Sequence, residues 1–359
     1  MSGFSVVFVL PSAGGGGGAH SVVQECRGLS RLGVRATVAT PAIHLEALGA
    51  TYPEIRGDML GGFASPEELG NHLGGTDLAV ATTFESVYAL KDALDTMRGR
   101  QPRTAYYIQD YEPLFHAPGS EKWLRARASY EALKGALLFA KTRWLQDIVH
   151  SNNRVPVEKV APSLDREIYY PGPIHRTGEG VTVSAMLRPK TPRRAPWRTL
   201  RTLERLDRAF GEGLRLVSFG SSRDELEEYG LRPSRSIEVM GALSRDEVAA
   251  LLRESDLFLD LSDYQAFGRT GLEAMACACV PVLPALGGAG EFARPWMNAI
   301  VLDTTDEDAI FESVSTFLSL APAARTDMRV AAIKTSLGYS IEAAALSEWE
   351  LFSRYLATV

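Results

Sequence analysis

Cysteine is scarce in this chain, with 3 in 359 residues: Cys26 stands alone, and Cys277 and Cys279 sit in the small-residue run Ala-Cys-Ala-Cys. No His or second Cys pair stands at zinc-ligand spacing, so neither a disulfide framework nor a structural zinc site is expected. The three thiols read as small buried hydrophobes in a reducing compartment. An excess of basic charge is also missing, with 38 Lys and Arg against 44 Asp and Glu, a net charge of −6. Met1 to Pro173 holds 17 cations against 18 acids, so the balance conceals no basic half. A general nucleic-acid surface is therefore excluded. No stretch reaches the roughly 18 apolar residues of a membrane span. Met1 to Leu10 has no positively charged n-region, and the chain is expected to be cytoplasmic, neither secreted nor integral. An Asp-x-Asp at a strand end is lacking too, since Asp306-Glu307-Asp308 opens a late helix. No bound metal and no resident cofactor are expected.

What is present is an ordinary globular composition, 45% hydrophobic and 23% charged. The length suggests two domains of about 100 to 200 residues. Short apolar runs alternate with longer helical patterns, as in strands buried on both faces: Phe4 to Leu10, Ala36 to Ala39, Leu78 to Ala81, Ala105 to Ile108 and Ala136 to Phe139. Between Lys159 and Thr177 the composition shifts around Pro162, Pro171, Gly172 and Pro173, marking a linker. The rhythm then restarts with Val181 to Ala185, Leu214 to Phe219, Ile237 to Val239, Leu257 to Leu259, Val280 to Leu283 and Ile300 to Leu302. After Leu302 only helical patterns remain, at Asp306 to Leu318, Ala321 to Thr335 and Ile341 to Tyr355. The expected architecture is α/β, with two Rossmann-like parallel-sheet domains facing a cleft. Their expected limits are residues 1–173 and 174–338, with a last helix in 339–359 crossing back to the first domain.

The first strand leads into five consecutive glycines, Gly14 to Gly18. Gly14-x-Gly16-x-x-Ala19 fits a loose dinucleotide fingerprint, yet the next strand ends in Thr40-Pro41-Ala42-Ile43, without the acid that would hold a ribose. Three readings stay open: a hydride-transfer site, a structural loop, or a loop lining the cleft, with Gly17 and Gly18 beside donor phosphates and His20 beside an acceptor. At the end of another strand, the edge where α/β sheets place ligands, stand Gln109, Asp110, Tyr111 and Glu112. Asp110, Tyr111 and Glu112 are candidates for binding or orienting acceptor hydroxyls, or else turn and capping residues.

The most informative segment runs from Ser262 to Cys277, through a Gly turn into a helix start whose free amides and dipole suit a diphosphate. Glu273 lies about one turn into that helix, where a carboxylate either complements the dipole or accepts from vicinal sugar hydroxyls. The segment resembles the Glu-x7-Glu motif of retaining GT-B glycosyltransferases, especially glycosyltransferase family 4 and its rhamnosyltransferases, with Gln265 in place of the first glutamate. Gly287-Gly288-Ala289-Gly290-Glu291, Gly241 to Leu252, the Lys159 to Asp165 hinge and the Tyr106 to Phe115 segment look like further family elements in the same order. The resemblance implies that Glu273 binds the nucleotide ribose, that Phe267, Gly268, Arg269 and Thr270 hold phosphate, and that Gln265 faces the transferred sugar. It implies an anomeric configuration kept during transfer, with a deoxysugar on dTDP, such as rhamnose, as the first expectation. The acceptor would be a small molecule, a cell-surface glycan, a natural product or a lipid-linked glycan.

Between Arg188 and Arg198 lie five cations and no acid: Arg188, Lys190, Arg193, Arg194 and Arg198. Guanidinium groups hold a phosphate bidentately as negative charge grows on it. By resemblance Arg188 is the family's diphosphate arginine, with Arg193 or Arg194 replacing its lysine. On the following helix Arg198, Arg201, Arg205 and Arg208 share one face, which reads as a solvated face or as a peripheral contact with an anionic membrane. A nicotinamide- or flavin-dependent oxidoreductase and a catalytically silent nucleotide-sugar binder remain the competing classes.

Overall fold

The computed structural model describes residues 3–55, 57–172 and 180–358. Fully buried apolar runs become strands in two sheets, both parallel throughout. The first contains β1 (Ser5–Val9), β2 (Arg35–Pro41), β3 (Leu60–Phe63), β4 (Leu78–Ala81), β5 (Arg103–Ile108), β6 (Leu137–Ala140) and β7 (Glu158–Lys159), in the order β3-β2-β1-β4-β5-β6-β7. The second contains β8 (Val181–Met186), β9 (Leu214–Phe219), β10 (Ile237–Val239), β11 (Leu257–Leu259), β12 (Val280–Pro284) and β13 (Ile300–Leu302), in the order β10-β9-β8-β11-β12-β13. Both sheets are Rossmann-like. Each reverses its winding at one point, between β1 and β4 and between β8 and β11, where open α/β sheets leave a crevice beyond the strand ends.

Two strands carry no apolar run to betray them. β3 reads Leu-Gly-Gly-Phe, and both glycines answer a close approach: a Cβ on Gly61 would come 2.6 Å from the His72 ring, and one on Gly62 would come 2.9 Å from Leu45. β7 is two exposed residues, Glu158 and Lys159, at the sheet edge.

The chain divides into two compact units, Met1–Ser163 with Tyr339–Val359, and Leu164–Gly338. The division falls ahead of the boundary expected at Pro173, which lies with the linker as far as Thr177 outside the described residues. Its physical reason is that the stretch after Ser163 is held by the second unit. Asp165 pairs with Arg245 at 3.7 Å, Tyr170 lies under the Arg253 guanidinium at 4.3 Å, and a Cβ on Gly172 would come 3.0 Å from Arg253.

The last helix, Ile341–Ala357, belongs to the first unit and packs on the helix Gly17–Arg31. Phe352 enters the core of β1, β2 and their covering helices, making edge-on contacts with Phe4 and Phe139. At the far end of the helix, Tyr355 donates to the Gly135 carbonyl at 2.7 Å, while Arg103 covers its ring and donates to its carbonyl. Between the two helices lies a buried charge cluster in which Lys141 pairs with Glu25 at 2.5 Å. Burial and neighbouring Glu25 push the Glu348 carboxyl well above the ordinary range.

Gly28 sets the approach of the two helices, because a Cβ there would stand 2.6 Å from Ala345 and 3.1 Å from the Ile341 carbonyl. Gly28→Ala should therefore cost about 1 to 3 kcal/mol through overpacking, despite alanine's better helix propensity. Urea unfolding measures it, and a midpoint at or above that of the wild type would refute this account of the helix contact.

Candidate functional site

The five cations after β8 are sorted by their partners. Lys190 pairs with Glu225 at 2.8 Å, and Arg198 with Asp263 at 2.6 Å. Arg194 faces Asp260 at 3.7 Å, while Arg193 lies over the Tyr264 ring at 5.7 Å. Among the described residues Arg188 makes no ion pair. It is partly buried, and its pKa is lowered first by that burial and then by the neighbouring Arg194 charge. A desolvated guanidinium beside a second one, with no acid on it, is stabilised by an incoming anion. Gly220, at the end of β9, makes room for it: with φ of +108°, a Cβ there would meet the Leu187 carbonyl at 2.9 Å and the Arg188 stem at 3.4 Å.

The helix Arg269–Ala276 starts from Gly268, whose φ of +88° brings the chain around into the first turn. Phe267, buried edge-on against Phe292 at 5.5 Å, anchors the turn, while Arg269 and Thr270 are partly exposed. Thr270 and Arg194 line one narrow hollow with Met186, Asp260 and Ser262, at the switch point of the second sheet. The sequence-predicted phosphate elements are thus brought together, both the helix start and the cation loop.

Glu273 is buried one turn further on, 3.9 Å from Arg269. Burial raises its carboxyl to about 7, opposed by the charges of Arg269 and Arg245 and reinforced by Asp165. Tyr169 is close enough that the Glu273 charge adds to burial in holding its phenol neutral. Asp165, Tyr169 and the helix-start residue Arg245 are therefore all electrostatic neighbours of the Glu273 carboxyl. The Ser244 capping box fixes that helix start: Ser244 Oγ accepts from the Glu247 amide and the Glu247 carboxylate accepts from the Ser244 amide.

Gln265, expected to face the transferred sugar, has protein partners. Its side-chain amide is engaged within the protein: Nε2 donates to Asp260 Oδ2 at 2.7 Å and to Ser262 Oγ at 3.0 Å, and the residue is buried. Its backbone is stitched to the glycine loop, since its carbonyl accepts from Gly288 N at 2.7 Å. Gly287 has a φ of +117° there, and a Cβ on it would lie 2.0 Å from the Gln265 carbonyl oxygen. Asp260, which sequence reading did not single out, is the centre of this arrangement. A single acid directly after a short apolar strand is the only trace it leaves in the sequence.

Three of the four stripe arginines have acidic partners. Arg198 is tied to Asp263 and the Leu261 carbonyl, Arg201 to Glu307 at 2.5 Å and Arg205 to Asp308 at 2.6 Å. Much of the positive charge on this face is therefore paired with acids of the same chain.

In the first unit, the candidates follow β1 and β5. Gly17 and Gly18 form the first turn of their helix, and a Cβ on Gly18 would come 3.1 Å from Gln109 Oε1, so the glycine run admits the Gln109 side chain. His20 Nδ1 lies 2.6 Å from the hydroxyl of buried Tyr52, which also accepts from Gly15 N. Asp110 accepts from the amide of Tyr111 and is partly exposed. Tyr111 is buried, stacked on Tyr130 at 5.6 Å, and donates to Asn153. Glu112 is buried as well, accepting from Phe84 N, at the start of the helix Phe84–Thr96, and from Tyr106 Oη at 2.9 Å. Tyr111 and Glu112 are therefore internal supports rather than open acceptor contacts, while Asp110 stays accessible.

Three comparisons bear on this geometry. Residues 192–335 match the family model Glycosyl transferases group 1. The O-antigen biosynthesis protein RfbC of Myxococcus xanthus is 30% identical over 207 residues, 57% of this chain and 15% of that protein. An uncharacterized glycosyltransferase of Methanocaldococcus jannaschii is 26% identical over 101 residues, 28% of this chain and 29% of that protein. The aligned parts are well under two thirds of these relatives' lengths. Among solved structures, HepE of Anabaena in complex with UDP and glucose is similar, with a TM-score of 0.78 at 17% identity over 98% of this chain and 100% of that one. Sucrose-phosphate synthase from Thermosynechococcus elongatus has a TM-score of 0.75 at 14% identity over 99% and 100%. The fold is GT-B.

Burial raises the Glu112 carboxyl from 4.5 to about 8, against the hydrogen bonds from Tyr106 and Phe84 N that lower it. The folded state thus binds the proton more tightly than the unfolded one. This contribution to stability is fully present below pH about 4.5 and is lost as pH rises through about 8. Glu112→Gln should flatten the decline of denaturant midpoints between about pH 5 and 9. An unchanged pH profile in the variant would show that Glu112 does not titrate this way.

Proposed function

We propose that the protein transfers a sugar from a nucleoside diphosphate to an acceptor hydroxyl, with retention of anomeric configuration and without a bound metal, as a family 4-like glycosyltransferase. The observation that carries the reading is the meeting of Arg194 with Thr270, in the first turn of Arg269–Ala276, at the switch point of the second sheet, next to Arg188, which has no ion pair among the described residues. As the glycosyl bond lengthens, negative charge grows on the departing diphosphate. The Arg188 and Arg194 guanidiniums and the amides at the start of Arg269–Ala276 would stabilise it there. The acceptor attacks from the side the diphosphate leaves, and a phosphate oxygen takes its proton, so no side chain is required as a base. Glu273 would accept from the ribose hydroxyls.

The UDP and glucose in the HepE complexes favour a pyrimidine diphosphate. UDP and dTDP are thus the first nucleotides to test, with rhamnose and glucose as sugars. The printed role of RfbC in O-antigen biosynthesis favours a cell-surface glycan acceptor. An oxidoreductase is disfavoured by the strand end after β2, where Thr40 and Pro41 stand instead of a ribose-binding acid.

Calorimetric titration with dTDP, UDP, GDP and NAD should give binding of a pyrimidine diphosphate and none of NAD. Arg188→Ala should lower the rate of donor hydrolysis by about 100- to 1000-fold while leaving the melting temperature near that of the wild type. A variant as active as the wild type would sink the assignment of Arg188.

The raised Glu273 carboxyl adds a pH signature. Protonation removes acceptor capacity, so affinity for UDP-glucose or dTDP-rhamnose, whose diphosphates do not titrate in this range, should fall about tenfold per unit as pH drops below about 7. Glu273→Gln should bind weakly at every pH and lose the slope. A slope retained in that variant would assign the titration to another group.

A further inference from the structure

The buried polar cluster at the end of β11 is arranged around one carboxylate. Asp260 Oδ1 accepts from Ser262 N at 3.3 Å and from Ser262 Oγ at 2.5 Å, and Oδ2 accepts from Gln265 Nε2 at 2.7 Å. Oδ2 also faces Arg194 Nη1 at 3.7 Å. Ser262 is fixed in turn by Thr304, which donates to its carbonyl at 2.6 Å. Asp260 and Gln265 are both at least nine-tenths buried, whereas the Arg194 side chain is a quarter exposed and lines the hollow with Asp260 and Ser262. One negative charge in a dry site, held by hydrogen bonds on both oxygens, faces one of two neighbouring guanidiniums and not the other.

We infer that Asp260 is the positioning residue for Arg194, and that Asp260 and Gln265 act as one acid-amide pair carrying a single negative charge. The inference rests on the diphosphate reading of the hollow. The amide at position 265 is what allows the acid at position 260. A carboxylate in its place would stand about 2.7 Å from the Asp260 oxygen, where two buried like charges repel strongly. The second charge would also draw Arg194 down toward the strand end and repel the phosphates. Arg188, free of any acid, and Arg194, pinned by one, then have different parts: Arg194 is preorganised at a fixed place, and Arg188 completes its coordination only when an anion arrives.

The test is a swap of the two groups. Wild type, Gln265→Glu, Asp260→Asn and the double variant Asp260→Asn/Gln265→Glu are titrated at one pH with pyrophosphate and with UDP, and melted without ligand. Gln265→Glu should lose about tenfold or more in affinity for both probes and melt several degrees lower. The double variant, which again holds one acid and one amide, should return to within about threefold of wild-type affinity and regain the melting temperature. Should Gln265→Glu fail to fold, the double variant must still fold and bind. A cluster with a merely structural role would let melting recover in the double variant without affinity, and that result overturns the inference. So does a Gln265→Glu protein that binds like the wild type. If the wild type binds neither probe, the diphosphate reading itself fails and the inference falls with it. Wild-type binding with an unrescued double variant overturns the inference alone.

Discussion

A partly desolvated guanidinium with no carboxylate partner among the described residues, Arg188, is the constraint around which the end of the second unit's sheet is organised. Burying a cation lowers its pKa and costs free energy unless a counter-charge is supplied. The surrounding residues withhold one. Neighbouring Lys190, Arg194 and Arg198 each have an acid within 4 Å, so the loop's charges are satisfied at every other paired position. Gly220 lets the chain pass close to the Leu187 carbonyl, which a Cβ would meet at 2.9 Å. The imbalance is local, in a chain whose overall charge is negative.

The GT-B frame explains why this imbalance arises where it does. Parallel strands that are buried on both faces leave only their ends for polar chemistry, and the reversal between β8 and β11 opens the sheet there. Arg188 follows one strand of that pair and Asp260 follows the other. The helix Arg269–Ala276 comes next in the chain after β11 and directs its first turn to the same place. Cation, acid and helix start meet because of strand order, not sequence proximity.

Sequence was a good guide wherever burial imposed a pattern. Eleven apolar runs became strands, since a strand shielded on both faces must be apolar along its whole length. β3 and β7 escaped because glycines dictated by the His72 and Leu45 contacts break the first, and the second is short and exposed. At the site, the cation run from Arg188 to Arg198 and the glycine turn into the helix Arg269–Ala276 could be read from the sequence, and the structure brings Arg194 and Thr270 of these segments to one hollow. The direction of the Gln265 amide, the pairing of the arginine stripe and the burial of Tyr111 and Glu112 were not. Each depends on which side chain from a distant segment comes within hydrogen-bond range, and a motif does not encode that. Asp260 is the clearest case: it acquires its importance from Ser262, Gln265 and Arg194 together.

The helix Ile341–Ala357 is last in the chain yet forms part of the core built on β1. During synthesis the second unit, continuous from Leu164 to Gly338, has all its parts as soon as Gly338 clears the ribosome. The first unit must wait with Val22, Phe139 and their neighbours uncovered until residues 339–359 emerge. Folding order on the ribosome is thereby inverted relative to gene order, and the interval leaves the earlier-made half as the one in need of chaperone protection.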